Sequence, residues 1–151
     1  MEMDRQERIE YLREHYLHPY KRGAVPTADI EIEGGNPGCG DIIRIYLEVE
    51  PDGKTIKDVH FTGEGCTISQ ASASVLMEAL DENGGHKTLD EVLERFNAEL
   101  MEELLGKETM QVRPRCATLA LDTLKAAIRK YRRQQLMREH GLDPAAYEST
   151  P

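Results

Sequence analysis

The sequence contains no run of 18 apolar residues, so no segment of it is long enough to cross a bilayer as a helix. Its first residues, Met1-Glu2-Met3-Asp4-Arg5-Gln6, are charged and lack the apolar core of a secretion signal, which gives the expectation of a cytoplasmic protein. Cysteine is scarce, with three in 151 residues. An odd count in a reducing compartment does not make a disulfide framework and points instead to metal binding or sulfur chemistry. Positive charge is also short: 19 Lys and Arg against 28 Asp and Glu leave a formal charge of −9. That balance argues against duplex nucleic acid or an anionic membrane as partner and suits an acidic, solvated exterior. No internal repeat or low-complexity segment is visible. What is there is ordinary for a globular chain: 39% hydrophobic residues plus 12 glycines, in a length that fits one domain with a core of its own.

Periodicity divides the chain into a strand-rich first half and a helical second half. Residues 4–17 read as an amphipathic helix, with Ile9, Leu12 and Tyr16 on one face, ending at or before His18 because Pro19 disfavours helix in its predecessor. Asp29-Ile30-Glu31-Ile32-Glu33 alternates as a short strand, and Ile43, Ile45, Leu47 and Val49 share one face of a second. The turn signal Pro51-Asp52-Gly53-Lys54 then returns the chain as a hairpin through residues 56–61. A helix over 67–81 ends at Asn83-Gly84-Gly85, and the capping box Thr88-Leu89-Asp90-Glu91 opens one helix or two short ones reaching Leu105. A last helix starts near Pro114, buries Leu121, Leu124, Ile128 and Tyr131, and is expected to fray after residue 133. The fold class implied is α+β, a small antiparallel three-stranded sheet with helices packed on one face. Residues 1–133 are expected to form a single domain, and residues 134–151 a C-terminal extension that is partly flexible, loosest from Asp143 onward.

The three cysteines each sit in a glycine- or proline-marked turn rather than in an apolar run. Cys39 lies in Asn36-Pro37-Gly38-Cys39-Gly40-Asp41, Cys66 in Gly63-Glu64-Gly65-Cys66-Thr67-Ile68-Ser69, and Cys116 in Arg113-Pro114-Arg115-Cys116. Cys66 and Cys116 fall near helix N-termini, whose positive dipole end favours the thiolate, the form that binds metals and attacks sulfur. Arg113 and Arg115 add positive potential beside Cys116. Asp41, two residues past Cys39, supplies a fourth ligand. Three thiolates and a carboxylate suit tetrahedral zinc, or one edge of an iron–sulfur cluster. Separations of 27 and 50 residues are not those of paired zinc-finger knuckles, so such a site has to be assembled by the fold from separate loops. The competing reading is three unrelated core cysteines. Ser69, Ala71, Ser72, Ala73 and Ser74 read mainly as small residues for close helix packing, with a hydroxyl donated to sulfur as the alternative. His18, His60, His86 and His140 lack ligand spacing to any cysteine and read as surface or packing residues.

The three cysteine segments, extended through Gln70-Ala71-Ser72-Ala73-Ser74 and Ala117-Thr118-Leu119-Ala120, resemble the iron–sulfur cluster assembly family that includes IscU, SufU and the N-terminal domain of NifU. Glu14-His15-Tyr16 with Pro19, Arg22 and Gly23 is similar to that family's N-terminal helix and exit, and the likeness runs from about residue 8 to residue 131. Two features resemble SufU. Arg115 stands where IscU-type scaffolds carry a histidine, a candidate cluster ligand, and the stretch between Cys66 and Cys116 is longer, with an insertion around residues 83–106.

The resemblance implies a zinc-dependent sulfurtransferase of iron–sulfur cluster biogenesis that takes persulfide sulfur from a cysteine desulfurase, a SufS-like enzyme carrying its own pyridoxal phosphate. Cys39, Asp41, Cys66 and Cys116 are then the metal ligands, and Cys39 the sulfur acceptor, because its loop is the most flexible by composition and it lies two residues from the weakest ligand. Downstream cluster-assembly proteins are further expected partners. The alternatives carried forward are a scaffold on which a [2Fe–2S] cluster is built and transferred, and a structural zinc domain acting as an interaction module.

Overall fold

The computed structural model describes residues 3–36 and 40–147. Helix α1 (Arg5–Leu17) opens the chain, capped by Asp4, whose side chain accepts from the Glu7 amide while Glu7 reaches back to the Asp4 amide. Strands β1 (Ile30–Asn36), β2 (Asp41–Val49) and β3 (Ile56–Glu64) follow and pair antiparallel in the order β1-β2-β3. The β2–β3 turn forms as its sequence implies. The Asp52 carboxylate accepts from the Lys54 and Thr55 amides at 2.8 and 2.9 Å, and Gly53 takes φ +70°. β1 runs to Asn36, past the alternating stretch, because Gly34 leaves room for Thr123 of a later helix and Asn36 still pairs with Asp41.

Odd-numbered residues of β2 face inward. Ile43, Ile45 and Leu47 are fully buried, as is Phe61 on β3. Over that face lie α2 (Thr67–Leu80), with Leu76 and Met77 in the core, and α6 (Pro114–Glu139), which contributes Leu121, Leu124, Ile128 and Tyr131. Each fully buried aliphatic side chain of this kind contributes about 1.5–3 kcal/mol. The chain is therefore an α+β sandwich with helices against one face of a small sheet.

Between α2 and α6 the chain makes three short helices. α3 (Leu89–Arg95) starts at the Thr88–Glu91 capping box, and α4 (Ala98–Leu105) restarts after Asn97, whose side chain accepts from the Leu100 amide at 2.9 Å. The stretch to Leu105 is thus two helices, separated by a residue that prefers to cap rather than continue. A third, α5 (Lys107–Val112), follows Gly106 and stops before Pro114.

α6 ends past residue 133, as expected, and reaches Glu139 through Gln134-Gln135-Leu136-Met137-Arg138-Glu139, residues with good helix propensity. It ends where Gly141 supplies φ +73°. There the Leu142 amide donates to the Met137 carbonyl at 2.8 Å and the Gly141 amide to the Arg138 carbonyl at 3.0 Å, the paired bonds of a Schellman stop. A further turn, α7 (Pro144–Tyr147), lies in the segment expected to be a loose tail, whose last residues 148–151 are outside the described ones. On α1, only Leu12 of the expected apolar face is buried. Ile9 and Tyr16 are 50% and 43% exposed and line an open groove of about 850 Å³ with Ile68 and Val112.

The residue of α1 that joins Leu12 inside is His15. The Tyr20 amide donates to Ser74 Oγ at 2.7 Å, and His15 Nδ1 lies 2.7 Å from the same oxygen, in a hydrogen bond whose direction follows the imidazole tautomer. Burial lowers the His15 pKa, outweighing Glu78 and Glu14, which act in the opposite direction. The folded protein thus binds fewer protons here than the unfolded chain. Stability from this group is complete above about pH 6.5 and is lost as pH falls below that value toward the depressed folded one. Urea midpoints between pH 7 and pH 5 are expected to drop in the parent chain, with a shallower slope in His15→Gln; equal slopes would refute the assignment.

Candidate metal centre

Asp41 is the first residue of β2, the central strand, and only 1% exposed. A buried carboxylate requires partners, and the fold provides them from two other elements. Cys66 is the N-cap residue of α2, placed there by Gly65, whose φ of +140° turns the chain out of β3. Its backbone amide donates to Asp41 Oδ1 at 2.7 Å, and its thiol lies 3.7 Å from Oδ2. Cys116 sits in the first turn of α6, two residues after Pro114, and its buried thiol donates to Asp41 Oδ2 at 2.9 Å. One oxygen of Asp41 is therefore tethered by backbone, while the other faces both sulfurs.

The three donor atoms lie within 4.8 Å of one another. Two sulfurs at about 2.3 Å from a tetrahedral ion stand roughly 3.8 Å apart, so the cluster is of coordination size. Burial raises the Cys116 thiol to about 12, with the Asp41 carboxylate and Cys66 adding to the shift. Burial acts to raise Asp41 as well, but hydrogen bonds from Cys116 and from the Cys66 amide and thiol prevail and leave its pKa lowered. Charge is thus concentrated on Asp41, which makes no ion pair with Lys or Arg among the described residues. A carboxylate enclosed by two thiols is a place where a divalent cation would displace thiol protons.

The sequence-expected ligands Asp41, Cys66 and Cys116 are brought together; Cys39 lies outside the described residues. Arg115 is exposed. The Ser69 hydroxyl donates to the Cys66 carbonyl at 3.1 Å, so its proton is directed away from the sulfur, 3.9 Å from its oxygen. A Cβ at Gly65 would overlap Asp41 Oδ1 and stand 2.8 Å from Cγ, a role for this glycine that sequence reasoning misses. The signal for it was the Gly63-Glu64-Gly65 run itself. Glu48, Asp58 and His60 also cluster within 4.8 Å, on the sheet's other face, but the Lys21 ammonium lies 2.9 Å from Asp58 Oδ1 and supplies the cation. His60 retains a packing and surface role.

A carboxylate and two cysteines converging from a strand, a turn and a helix at one end of a small sheet form a candidate sulfur-and-carboxylate metal site. Residues 8–138 match the family model described as the NifU-like N terminal domain. The chain is 31% identical over 140 residues to the iron–sulfur cluster assembly scaffold protein IscU of Aquifex aeolicus, covering 92% of this chain and 85% of that protein. It is 29% identical over 133 residues to the zinc-dependent sulfurtransferase SufU of Bacillus subtilis, covering 79% and 87%. A solved structure from Fervidobacterium islandicum, described as a candidate iron–sulfur cluster assembly scaffold for the SUF system, superposes with a TM-score of 0.64 at 32% identity, covering 79% of this chain and 94% of that one. The chain belongs to the NifU-like N-terminal domain family, the IscU, SufU and NifU group of iron–sulfur cluster assembly proteins. Among the described residues no helix is long and apolar enough to cross a membrane.

Proposed function

We propose that this protein is a zinc-dependent sulfur-transfer protein of iron–sulfur cluster assembly, taking persulfide sulfur from a pyridoxal-phosphate cysteine desulfurase of the SufS kind. The observation that carries the reading is the buried Asp41 carboxylate facing the Cys66 and Cys116 sulfurs, all donors within 4.8 Å. Asp41, Cys66 and Cys116 would hold zinc, with Cys39 as the fourth donor. Bound zinc would supply a charge that keeps these thiols ionised at neutral pH and shields them from oxidation.

The chain's own residues do the rest. The Cys66 amide fixes one oxygen of Asp41 and leaves the other as a single, replaceable donor. Cys39 is the acceptor: its thiolate attacks the sulfane sulfur of the donor's cysteine persulfide. A new S–S bond forms on Cys39, the donor's S–S bond breaks, and the donor cysteine leaves as thiolate, with no net redox change. The exposed Arg115 in the position that resembles the scaffolds' histidine favours transfer over cluster retention.

Cys39→Ala is expected to remain folded and to lower desulfurase stimulation at least tenfold, measured as alanine or sulfide release with and without the protein. Stimulation that merely tracks the folded fraction would make the centre a structural zinc module. A second reading, the [2Fe–2S] scaffold, is favoured by the scaffold descriptions of relatives. Anaerobic reconstitution with iron, sulfide and desulfurase decides between them: a stable chromophore that transfers to apo-ferredoxin supports the scaffold, and retained zinc with strong stimulation supports transfer.

A further inference from the structure

A second cleft, of about 410 Å³, lies beside the metal centre between the exit of α1 and the end of β3. That volume is in the range of small-molecule sites. Its walls include Tyr16 and Pro19, its floor is Gly63, and it reaches Gly65, the residue before Cys66. Three polar groups surround it, the exposed Arg22 and Glu64 and the buried Gln70. The Arg22 guanidinium makes one hydrogen bond, from Nη2 to the Gly63 carbonyl at 3.0 Å, and no carboxylate pairs with it among the described residues. Glu64 lines the same cleft and makes no ion pair with Arg22 or with any other described residue. Gln70 is 8% exposed. Its Nε2 donates to Ser69 Oγ at 3.2 Å, an orientation fixed because the Ser69 proton goes to the Cys66 carbonyl, and its Oε1 is buried with no partner.

In a folded protein a buried amide oxygen is normally satisfied, and here the exposed Arg22 and Glu64 place charges of both signs around the same cleft as the unsatisfied Gln70 oxygen. A cation, an anion and a buried acceptor left apart in one cleft match a ligand that carries both charges itself. We propose that this cleft binds a small free α-amino acid. Its carboxylate lies against Arg22, and its ammonium lies between Glu64 and a Gln70 oxygen that turns slightly outward from Gly63. Arg suits a carboxylate because its planar fork presents two parallel donors. Within the sulfur-transfer reading, on which this assignment of a role rests, cysteine is the amino acid that would bring a thiol to the edge of the centre; the binding itself does not depend on that reading.

L-serine is the probe, since it matches cysteine in size without a thiol to chelate zinc. It is titrated into the isotope-labelled full chain as purified and followed through the backbone amide signals of Gly63, Glu64, Gly65 and Gln70. Saturable shifts are expected there, with acetate and ethanolamine, which each carry one of the two charges, binding at least tenfold more weakly. Arg22→Gln and Glu64→Gln are each expected to weaken serine binding about tenfold while leaving the thermal midpoint and zinc content unchanged. No saturable shift, acetate binding as well as serine, or variants that bind like the parent would each overturn the proposal. If the chain holds no zinc yet serine still binds through Arg22 and Glu64, the sulfur-transfer reading fails and the amino-acid site stands.

Discussion

Gly65→Ala is expected to weaken zinc binding by at least tenfold and to cost about 2–4 kcal/mol of stability. Two effects act together. The φ of +140° at Gly65 belongs to a region that residues with a side chain rarely enter, and a methyl group there would overlap Asp41 Oδ1 and stand 2.9 Å from Asp41 Cα. Asp41 has no room to yield, being 1% exposed and the first residue of the central strand. Relief therefore comes from moving the turn, which breaks the 2.7 Å bond from the Cys66 amide to Oδ1 and leaves a buried carboxylate short of a donor. Urea denaturation reads the stability, and competition with a chromophoric chelator reads the zinc. Parent-like affinity in this variant would show that the Asp41 position is not what organises the centre.

Gly34→Ala is expected to cost about 2–3 kcal/mol through overpacking. A Cβ at Gly34 would overlap the Thr123 hydroxyl and lie 3.1 and 3.2 Å from its Cβ and Cγ2. Thr123 is 4% exposed on α6, with its hydroxyl donated to the Leu119 carbonyl at 2.7 Å. The strand and helix are pressed together at this point, and turning Thr123 away would break its bond to the Leu119 carbonyl. In the double variant Gly34→Ala/Thr123→Ala the hydroxyl and methyl are gone, so part of the loss should return, with a coupling of about 1 kcal/mol or more in the double-mutant cycle. Strictly additive losses would mean that the helix is not seated on Gly34. Because α6 also carries Cys116, the single variant should lose zinc affinity as well.

Much of this architecture is legible in the sequence because it is set by local chemistry. Pro51-Asp52-Gly53-Lys54 specifies the β2–β3 turn, Thr88 and Glu91 specify the start of α3, and the odd-numbered apolar residues of β2 specify its buried face. What escapes depends on the folded surroundings. α5 has six residues and no strong cap, so only its packing between α4 and α6 makes it a helix. Ile9 and Tyr16 have helical spacing like Leu12, yet spacing does not say whether a stripe meets a core or an open groove. The end of α6, expected only somewhere after residue 133, is fixed by the stop at Gly141. At the centre, the motifs located Asp41, Cys66 and Cys116, because glycine, proline and helix starts mark each one. The engagement of His15 with Ser74 across 59 residues, and the unpaired charges of Arg22 and Glu64, have no local signature at all.

The order in which the described donors are made has its own consequence. Asp41 and the Cys66 amide are joined within the first half of the chain, whereas the Cys116 thiol is 75 residues from Asp41 and arrives on the final long helix. During synthesis the ribosome releases the strands and α2 well before α6, so the early product presents a half-finished cage. Only when α6 has docked across the sheet are the three donors in register. Metal occupancy would then follow the docking of α6, and a product that lacks or misplaces that helix would stay empty.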